Sequence, residues 1–502
     1  MTKHTHRPLP ALLLTLVPAA GCMVVSDGQL ADWLDPDGDG ILLADDCNHG
    51  DPEQGGEDDP TKLIDRDCDG HAEMGTEAAA DSFQGETDSR TTARIAVMDG
   101  LGGVLVGPDS TGTGDRVLWL GIDAGTFDQK GLWNVDLDGP LGPPGEIMGT
   151  TNGPTGAPII AIGFPQADVG GVEDSGCVVL LTGALASGEH TLDIDDCGPS
   201  GDAYDERLGT SLAFGWDAGL GAGDDPPVFG MIIGSPGQSK VTVWTCNDDE
   251  GTFGCEFVER YQQPEVEEYG RRVLWVSRDE ERESGPFWVV ATPTANALSG
   301  QLDVFLASFP DLSTPEGLPP PQDTFHGASG EQLGLHLSLG PPVGDDRRSS
   351  VVVESASRVV VYNFFQPFDT PQPWSIDDAA LLVISGVIPT APGVPLAGSL
   401  PDGIGTPADP VGWLPITGKP FSGTPCEGQA AATWLVPWDI AGEWTPQDAD
   451  RAICLDDSTE YGVLSAMVSG GADAGHDHIV IGRPGAHSAG GQADLFTEIE
   501  RP

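Results

Sequence analysis

Glu206-Arg207-Leu208-Gly209-Thr210-Ser211-Leu212-Ala213, followed by Met231-Ile232-Ile233-Gly234-Ser235-Pro236, is a phrase that this chain repeats. Its anchor is a Leu-Gly or Tyr-Gly dipeptide behind acidic or amide residues. The anchor returns at Glu268-Tyr269-Gly270, Gln332-Leu333-Gly334 and Glu460-Tyr461-Gly462. The four anchor glycines stand 61, 64 and 128 residues apart, the last interval being two periods of 64. Ala397-Gly398-Ser399-Leu400 lies at the midpoint of that double interval, and stepping backwards gives Gly149 and Gly85. Seven copies at a near-constant period mark a repeat architecture.

Behind the anchors come short apolar runs that end in Gly-x-Pro or a similar break. Examples are Ile159-Ile160-Ala161-Ile162-Gly163-Phe164-Pro165 and Ile479-Val480-Ile481-Gly482-Arg483-Pro484. Trp288-Val289-Val290-Ala291-Thr292-Pro293 has Ala for Gly, and Val104-Leu105-Val106-Gly107-Pro108 and Trp434-Leu435-Val436-Pro437 are shifted forms. Val351-Val352-Val353-Glu354 lacks the break. With 70 Gly, 43 Pro and many short β-branched runs, the chain reads as all-β. Each unit has room for four short strands, expected in repeat three at 210–215, 228–234, 240–246 and 252–259. Four-stranded sheets repeated radially make a β-propeller, here of seven blades.

The anchor phrase at 208–213 with Gly234-Ser235-Pro236, and Tyr461-Gly462-Val463-Leu464-Ser465-Ala466 with Gly482-Arg483-Pro484, resemble the FG-GAP repeat of integrin α-subunits. The resemblance covers residues 83–502 and implies a seven-bladed propeller. It departs at the Asp-x-Asp-x-Asp-Gly calcium loop usual in that family. Asp217, Asp224 and Asp225, then Asp345 and Asp346, then Asp473 and Asp477, never complete that ligand set.

The N-terminus reads as an address. Lys3, His4 and Arg7 precede an apolar stretch over 9–20, which is too short to span a bilayer. Ala19-Ala20-Gly21-Cys22 resembles the lipobox of bacterial lipoproteins, although Leu is more usual where Ala19 stands. The resemblance implies a signal peptide over 1–21, cleavage before Cys22 and acylation of its thiol. The protein is then anchored in a bacterial envelope rather than spanning it. Met23 after the cysteine favours the outer membrane, by resemblance to enterobacterial sorting.

Residues 22–34 read as a tether. Asp35, Asp37 and Asp39, then Gly40, the Ile41 carbonyl and Asp46, stand at positions 1, 3, 5, 6, 7 and 12 of a calcium loop. Aspartate at the last position is typical of thrombospondin type 3 and dockerin-like loops. A second acidic cluster surrounds Cys68, and residues 35–70 together resemble the Asp/Cys-rich metal-binding repeat of myxobacterial secreted proteins. Residues 71–82, rich in Ala, Glu and Asp, read as a linker to the propeller over 83–502.

Besides Cys22 there are eight cysteines, an even set that suggests disulfides in an exported chain. Consecutive cysteines fall within single predicted units, which pairs Cys47 with Cys68, Cys177 with Cys197, Cys246 with Cys255, and Cys426 with Cys454. Each bridge is worth about 2–4 kcal/mol if unstrained.

Twenty-two Lys and Arg stand against 79 Asp and Glu, a formal charge of −57. Such a surface repels nucleic acid and attracts cations. Gly-x-Ser-x-Gly, His-Glu-x-x-His and P-loop signatures are missing, and carboxylate pairs are too common to nominate one for acid–base work. The group Asp473, His476, Asp477, His478 and His487 has a spacing compatible with zinc or copper but reads as a polar loop tip. Most of the 12 tryptophans are expected to pack between blades. Trp434, Trp438 and Trp444 lie close together in repeat six and are the candidate exposed ligand patch. The reading that follows is a non-enzymatic envelope lipoprotein whose propeller binds a protein or polysaccharide, for adhesion or recognition. The alternatives are a structural subunit of an outer-membrane or secretion assembly, and a propeller-scaffold hydrolase or lyase.

Overall fold

The computed structural model describes residues 72–85, 92–99, 103–108, 116–123, 125–135, 139–150, 158–217, 228–249, 252–276, 287–306, 321–343, 348–362, 373–375, 380–390, 397, 412–437, 441–456, 463–469, 476–484, 486 and 491–500. All of them belong to the second of two compact units, which comprises 58–65 and 69–502. Cys22, the calcium loop Asp35, Asp37, Asp39, Ile41 and Asp46, and the pair Cys47 and Cys68 lie outside the described residues.

The described chain is all-β, and its strands form six hydrogen-bonded sheets. Within them the strands run as successive antiparallel meanders, referred to below as units in chain order. Unit one is Arg94–Asp99, Gly103–Gly107, Arg116–Asp123 and Thr126–Val135. Unit two is Ile147–Thr150, Ile159–Phe164, Cys177–Thr182 and Cys197–Ser200, joined to unit one in a single nine-stranded sheet by the parallel pairing of Met98 with Gly149. Unit three is Ser211–Asp217, Val228–Ser235, Lys240–Asp249 and Thr252–Gln262, four strands where the sequence predicts four. Unit four is Arg272–Val276, Phe287–Thr292, Gln301–Leu306 and Asp323–His326, and unit five is Leu337–Val343, Arg348–Glu354, Arg358–Tyr362 and Ala380–Ser385. Unit six has three antiparallel strands, Trp413–Gly418, Ala431–Pro437 and Arg451–Leu455. Unit seven is Leu464–Ser469, His476–Arg483 and Gln492–Glu500, completed by Asp81–Gln84 from the far end of the chain.

That last strand corrects the expected linker over 71–82. Ala72–Met74 pairs in parallel with Arg451–Leu455 on the edge of unit six, and Asp81–Gln84 pairs antiparallel with 492–495. Alternation places Ala72 and Met74 on the buried side of a strand whose composition otherwise looks like a solvated spacer. The same device recurs where Gly188–Leu192, Pro373–Ser375 and Gly442–Trp444 add in parallel to the outer strands of units one, four and five. Each covers backbone that would otherwise be an open sheet edge.

The apolar runs of the sequence are the second strands of the units. Ile159–Phe164 and Phe287–Thr292 are buried along their whole length, because both faces of each sheet are covered. Alternation sends successive side chains to opposite neighbours. Leu212, Phe214 and Met231 of unit three pack on Ile159 and Val178 of unit two, while Ala213 and Ile232 pack on Trp275 and Val290 of unit four. One core lies between units one and two, another between four and five, and a larger one runs through five, six and seven. A further core joins Val97, Val104 and Leu118 of unit one to Ala466, Val480 and Leu495 of unit seven.

The glycine of Gly-x-Pro has a physical cause. A Cβ on Gly163 would collide with the Gly209 carbonyl, and one on Gly234 with the Gly270 carbonyl, so each second strand ends against the next unit's anchor. A Cβ on Gly482 would fall 2.9 Å from the Thr92 carbonyl, which makes unit one the neighbour that follows unit seven. Glu354, which lacks the break, uses the same spot differently: its Oε1 accepts the Ala397 N–H at 2.7 Å. The anchor residues Leu208, Tyr269 and Leu333 are buried, and Gly209, Gly270 and Gly334 take φ of +93°, +85° and +88°, a region that favours glycine.

Two weak anchors are corrected. Gly149 lies inside a first strand; Gly145 takes the anchor role, its N–H donating to Gly163 O at 2.6 Å as Gly209's does to Gly234 O at 3.2 Å. Gly85 follows the strand Asp81–Gln84 and donates to Gly491 O. The stretch between 398 and 434 contains the first strand of unit six, Trp413–Gly418.

Candidate functional site

The predicted disulfides Cys177–Cys197, Cys246–Cys255 and Cys426–Cys454 are formed, each inside one unit as the repeat spacing predicts. The tryptophan patch is not exposed. Trp434 is 0% exposed because it sits in the doubly covered second strand of unit six. Trp444 is 2% exposed because its short strand is clipped to unit five, with its ring in the shared core. The side chain of Trp438 lies outside the described residues. Of the histidine group, Asp477 is buried and accepts the Gly412 N–H at 2.9 Å, a structural contact. The side chains of Asp473, His476 and His487 lie outside the described residues.

Among the described residues, Glu73, Cys426 and Cys454 bring a carboxylate and two sulfurs together. The sulfurs are joined as a disulfide and Glu73 accepts the Cys426 N–H, so no thiolate is available for a metal.

Two kinds of buried polar apparatus hold the anchors. In units three and five an anchor glutamate caps the preceding turn and meets the cation that opens the third strand. Glu206 accepts the N–H groups of Asp202 (2.9 Å) and Ala203 (3.1 Å) and pairs with Lys240 Nζ at 2.6 Å. Glu331 accepts the Ala328 N–H and pairs with Arg358 Nε, both at 2.5 Å. Units four and seven carry Gln-x-Asp in their third strands instead. Asp303 accepts Thr324 Oγ1 (2.8 Å), Gln301 Nε2 (3.0 Å) and Gln263 Nε2 (3.2 Å). Asp494 accepts Ser82 Oγ at 2.6 Å, bonds to Gln492 Nε2 and pairs with Arg483 Nη2 at 2.6 Å. Thr324 and Ser82 hold matching places on outer strands, so the strand from the N-terminal end substitutes for a fourth strand in detail as well as in outline.

Burial pushes the Asp303 carboxyl above the ordinary aspartate range, opposed by the hydrogen bonds from Thr324, Gln301 and Gln263. The folded state therefore holds this proton more tightly than the unfolded chain does. Its contribution to stability is complete below the ordinary aspartate pKa and is lost as pH rises through the raised folded value. Asp303→Asn should flatten the pH dependence of the melting temperature in that window, measured from about pH 3 to about pH 7. An unchanged slope would refute the assignment.

The candidate binding site lies where the first strands begin. Arg94 and Arg272 are the first residues of units one and four, and Glu146 and Leu335-His336 stand just before the first strands of units two and five. Glu146 Oε2 lies 3.7 Å from Arg94 Nη1 and 3.5 Å from Arg272 Nη1. Arg272 Nε donates to Leu335 O at 3.0 Å, and its Nη2 lies 3.4 Å from His336 Nδ1. All three charged side chains are mostly buried, with relative exposures of 23%, 31% and 19% for Arg94, Glu146 and Arg272. Burial lowers the Arg272 pKa, and the Glu146 carboxylate opposes that shift. This arrangement has hydrogen-bond donors and positive charge to offer a ligand. Composition did not reveal it. Aligning the residues after each anchor would have, because repeat symmetry brings Glu146, Arg271-Arg272 and Leu335-His336 to equivalent places.

No described helix is long and apolar enough to cross a membrane. No protein-family model and no curated protein matches the chain. Among solved structures it is similar to a humanized mutant of the Chaetomium thermophilum Polycomb Repressive Complex 2 bound to the inhibitor GSK126, with a TM-score of 0.29 and 11% identity. That alignment covers 54% of this chain and 49% of the other, so the chain spans about half of it, and a likeness this low carries no argument.

Proposed function

We propose that this chain is a non-enzymatic, lipid-anchored recognition protein of a bacterial envelope, in which a seven-bladed FG-GAP-like propeller holds a protein or polysaccharide ligand. The observation that carries the reading is the sequence of cores. Each unit shares buried side chains with the next, and the last core returns from unit seven to unit one. An open array would leave its two end faces in water; radial closure leaves none. Propellers serve many functions, so the recognition role rests on the site: polar groups from four units meet where the first strands begin.

On this reading Cys22 carries the lipid, the tether and a calcium-bound 35–70 module raise the propeller above the membrane, and Asp35, Asp37, Asp39, Ile41 and Asp46 hold the ion. The test is expression of the full chain and of Cys22→Ser, membrane fractionation, and pull-down of envelope or matrix components from detergent extracts. Wild type should sediment with membranes and capture a ligand, and Cys22→Ser should appear in the soluble fraction. Identical fractionation of the two would defeat the anchor. A fixed stoichiometric partner would replace recognition with an assembly role, and turnover on a glycan panel would replace it with an enzyme.

A further inference from the structure

We infer that Arg94 and Arg272 form a binding site for a single carboxylate carried by a small ligand. The inference deepens the recognition reading, which would put these groups at one mouth of the ring's central opening.

The argument is one of incomplete neutralisation. This chain has more than three acids for every Lys or Arg, yet here two guanidinium groups share one carboxylate oxygen. Both separations exceed the 2.7–2.9 Å of a good charge-assisted bond, so neither arginine has the two-pronged carboxylate contact that its planar fork favours. Arg94 Nε is buried without a hydrogen-bond partner among the described residues. Arg271 adds positive charge beside the site, while its own contact with Glu268 is 3.6 Å and exposed. Glu354 adds negative charge, but its Oε1 already accepts the Ala397 N–H. A buried cation without full compensation is costly, and a second carboxylate would supply what Glu146 alone does not.

The surrounding field selects the ligand further. A net charge of −57 repels a polyanion at long range, whereas one carboxylate on a neutral body meets little repulsion until it reaches the arginines. Glu146 then acts as an internal competitor that sets the affinity.

The experiment is calorimetric titration of the full-length protein in detergent with glucuronate and with lactate. Methyl glucuronate ester and lactamide serve as uncharged controls. Carboxylates should bind saturably and the uncharged forms should not. Arg94→Gln and Arg272→Gln should weaken binding at least tenfold, and Glu146→Gln should tighten it. Binding of glucuronate alone would identify an acidic sugar, and equal binding of lactate a general small-carboxylate site. Absence of saturable binding by wild type, or unchanged affinity in Arg94→Gln, would overturn the inference. Should Arg272→Gln fail to fold, the partly exposed Arg94 and Glu146 variants decide the matter. Carboxylate binding without any envelope ligand would leave the site standing and defeat recognition; capture of a ligand by Arg94→Gln as strong as by wild type would do the reverse.

Discussion

Glu206→Ala should destabilise the protein by about 3–5 kcal/mol, the usual result of removing one partner from a buried ion pair. Glu206 is fully buried and Lys240 is 5% exposed. The substitution leaves the ammonium with only Asp202, whose carboxylate is 3.4 Å away and whose side chain is 77% exposed. It also strips the acceptor from the N–H groups of Asp202 and Ala203, which hold the turn before the anchor. Leu208 and Gly209 follow at once, and Gly209 is the point where unit two's second strand abuts unit three. The loss should thus spread to the contact between units. A double variant, Glu206→Leu with Lys240→Met, should recover much of the stability, because apolar residues need no compensation there. Urea denaturation followed by tryptophan fluorescence measures both. A cost under about 1 kcal/mol for the single variant would mean that the pair is solvated and weak.

Deletion of residues 72–84 should have the second large effect. It removes the parallel strand on unit six and the outer strand of unit seven together. The backbone of Gln492–Leu495 would become an open edge, and Met74 and Phe83 would leave their cores. Asp494 would lose the Ser82 hydroxyl while remaining buried beside Arg483. The deletion variant is expected to melt below wild type, by about 1 °C for each kcal/mol lost, and to associate through the exposed edge. Thermal unfolding and size-exclusion chromatography would show this. A monomer with unchanged melting temperature would demonstrate that the segment is a spacer after all.

Local pattern was legible wherever one residue type had one physical use. Period-64 anchors, Gly-x-Pro breaks and apolar runs translate directly into turns and doubly covered strands, as in unit three. The three described cysteine pairs lie within units, where neighbouring segments of one sheet stand side by side. Three things were hidden. Ala72–Met74 and Asp81–Gln84 look like a spacer, since their role depends on an edge more than 300 residues away. Trp434 and Trp444 are close in sequence, but proximity along a chain says nothing about which face is covered. Glu146 and Arg272 follow their anchors at equivalent places, but nothing local shows that those places meet each other and Arg94.

By itself, then, the sequence determined the strand content, the repeat and the disulfide partners within units, because these follow from backbone sterics, side-chain alternation and short loop closure. Only the tertiary structure decided which edge strands cover which units, which tryptophans are buried, and that two arginines and a glutamate from three units share one place. Those outcomes depend on contacts between segments far apart in the chain, which no local pattern encodes.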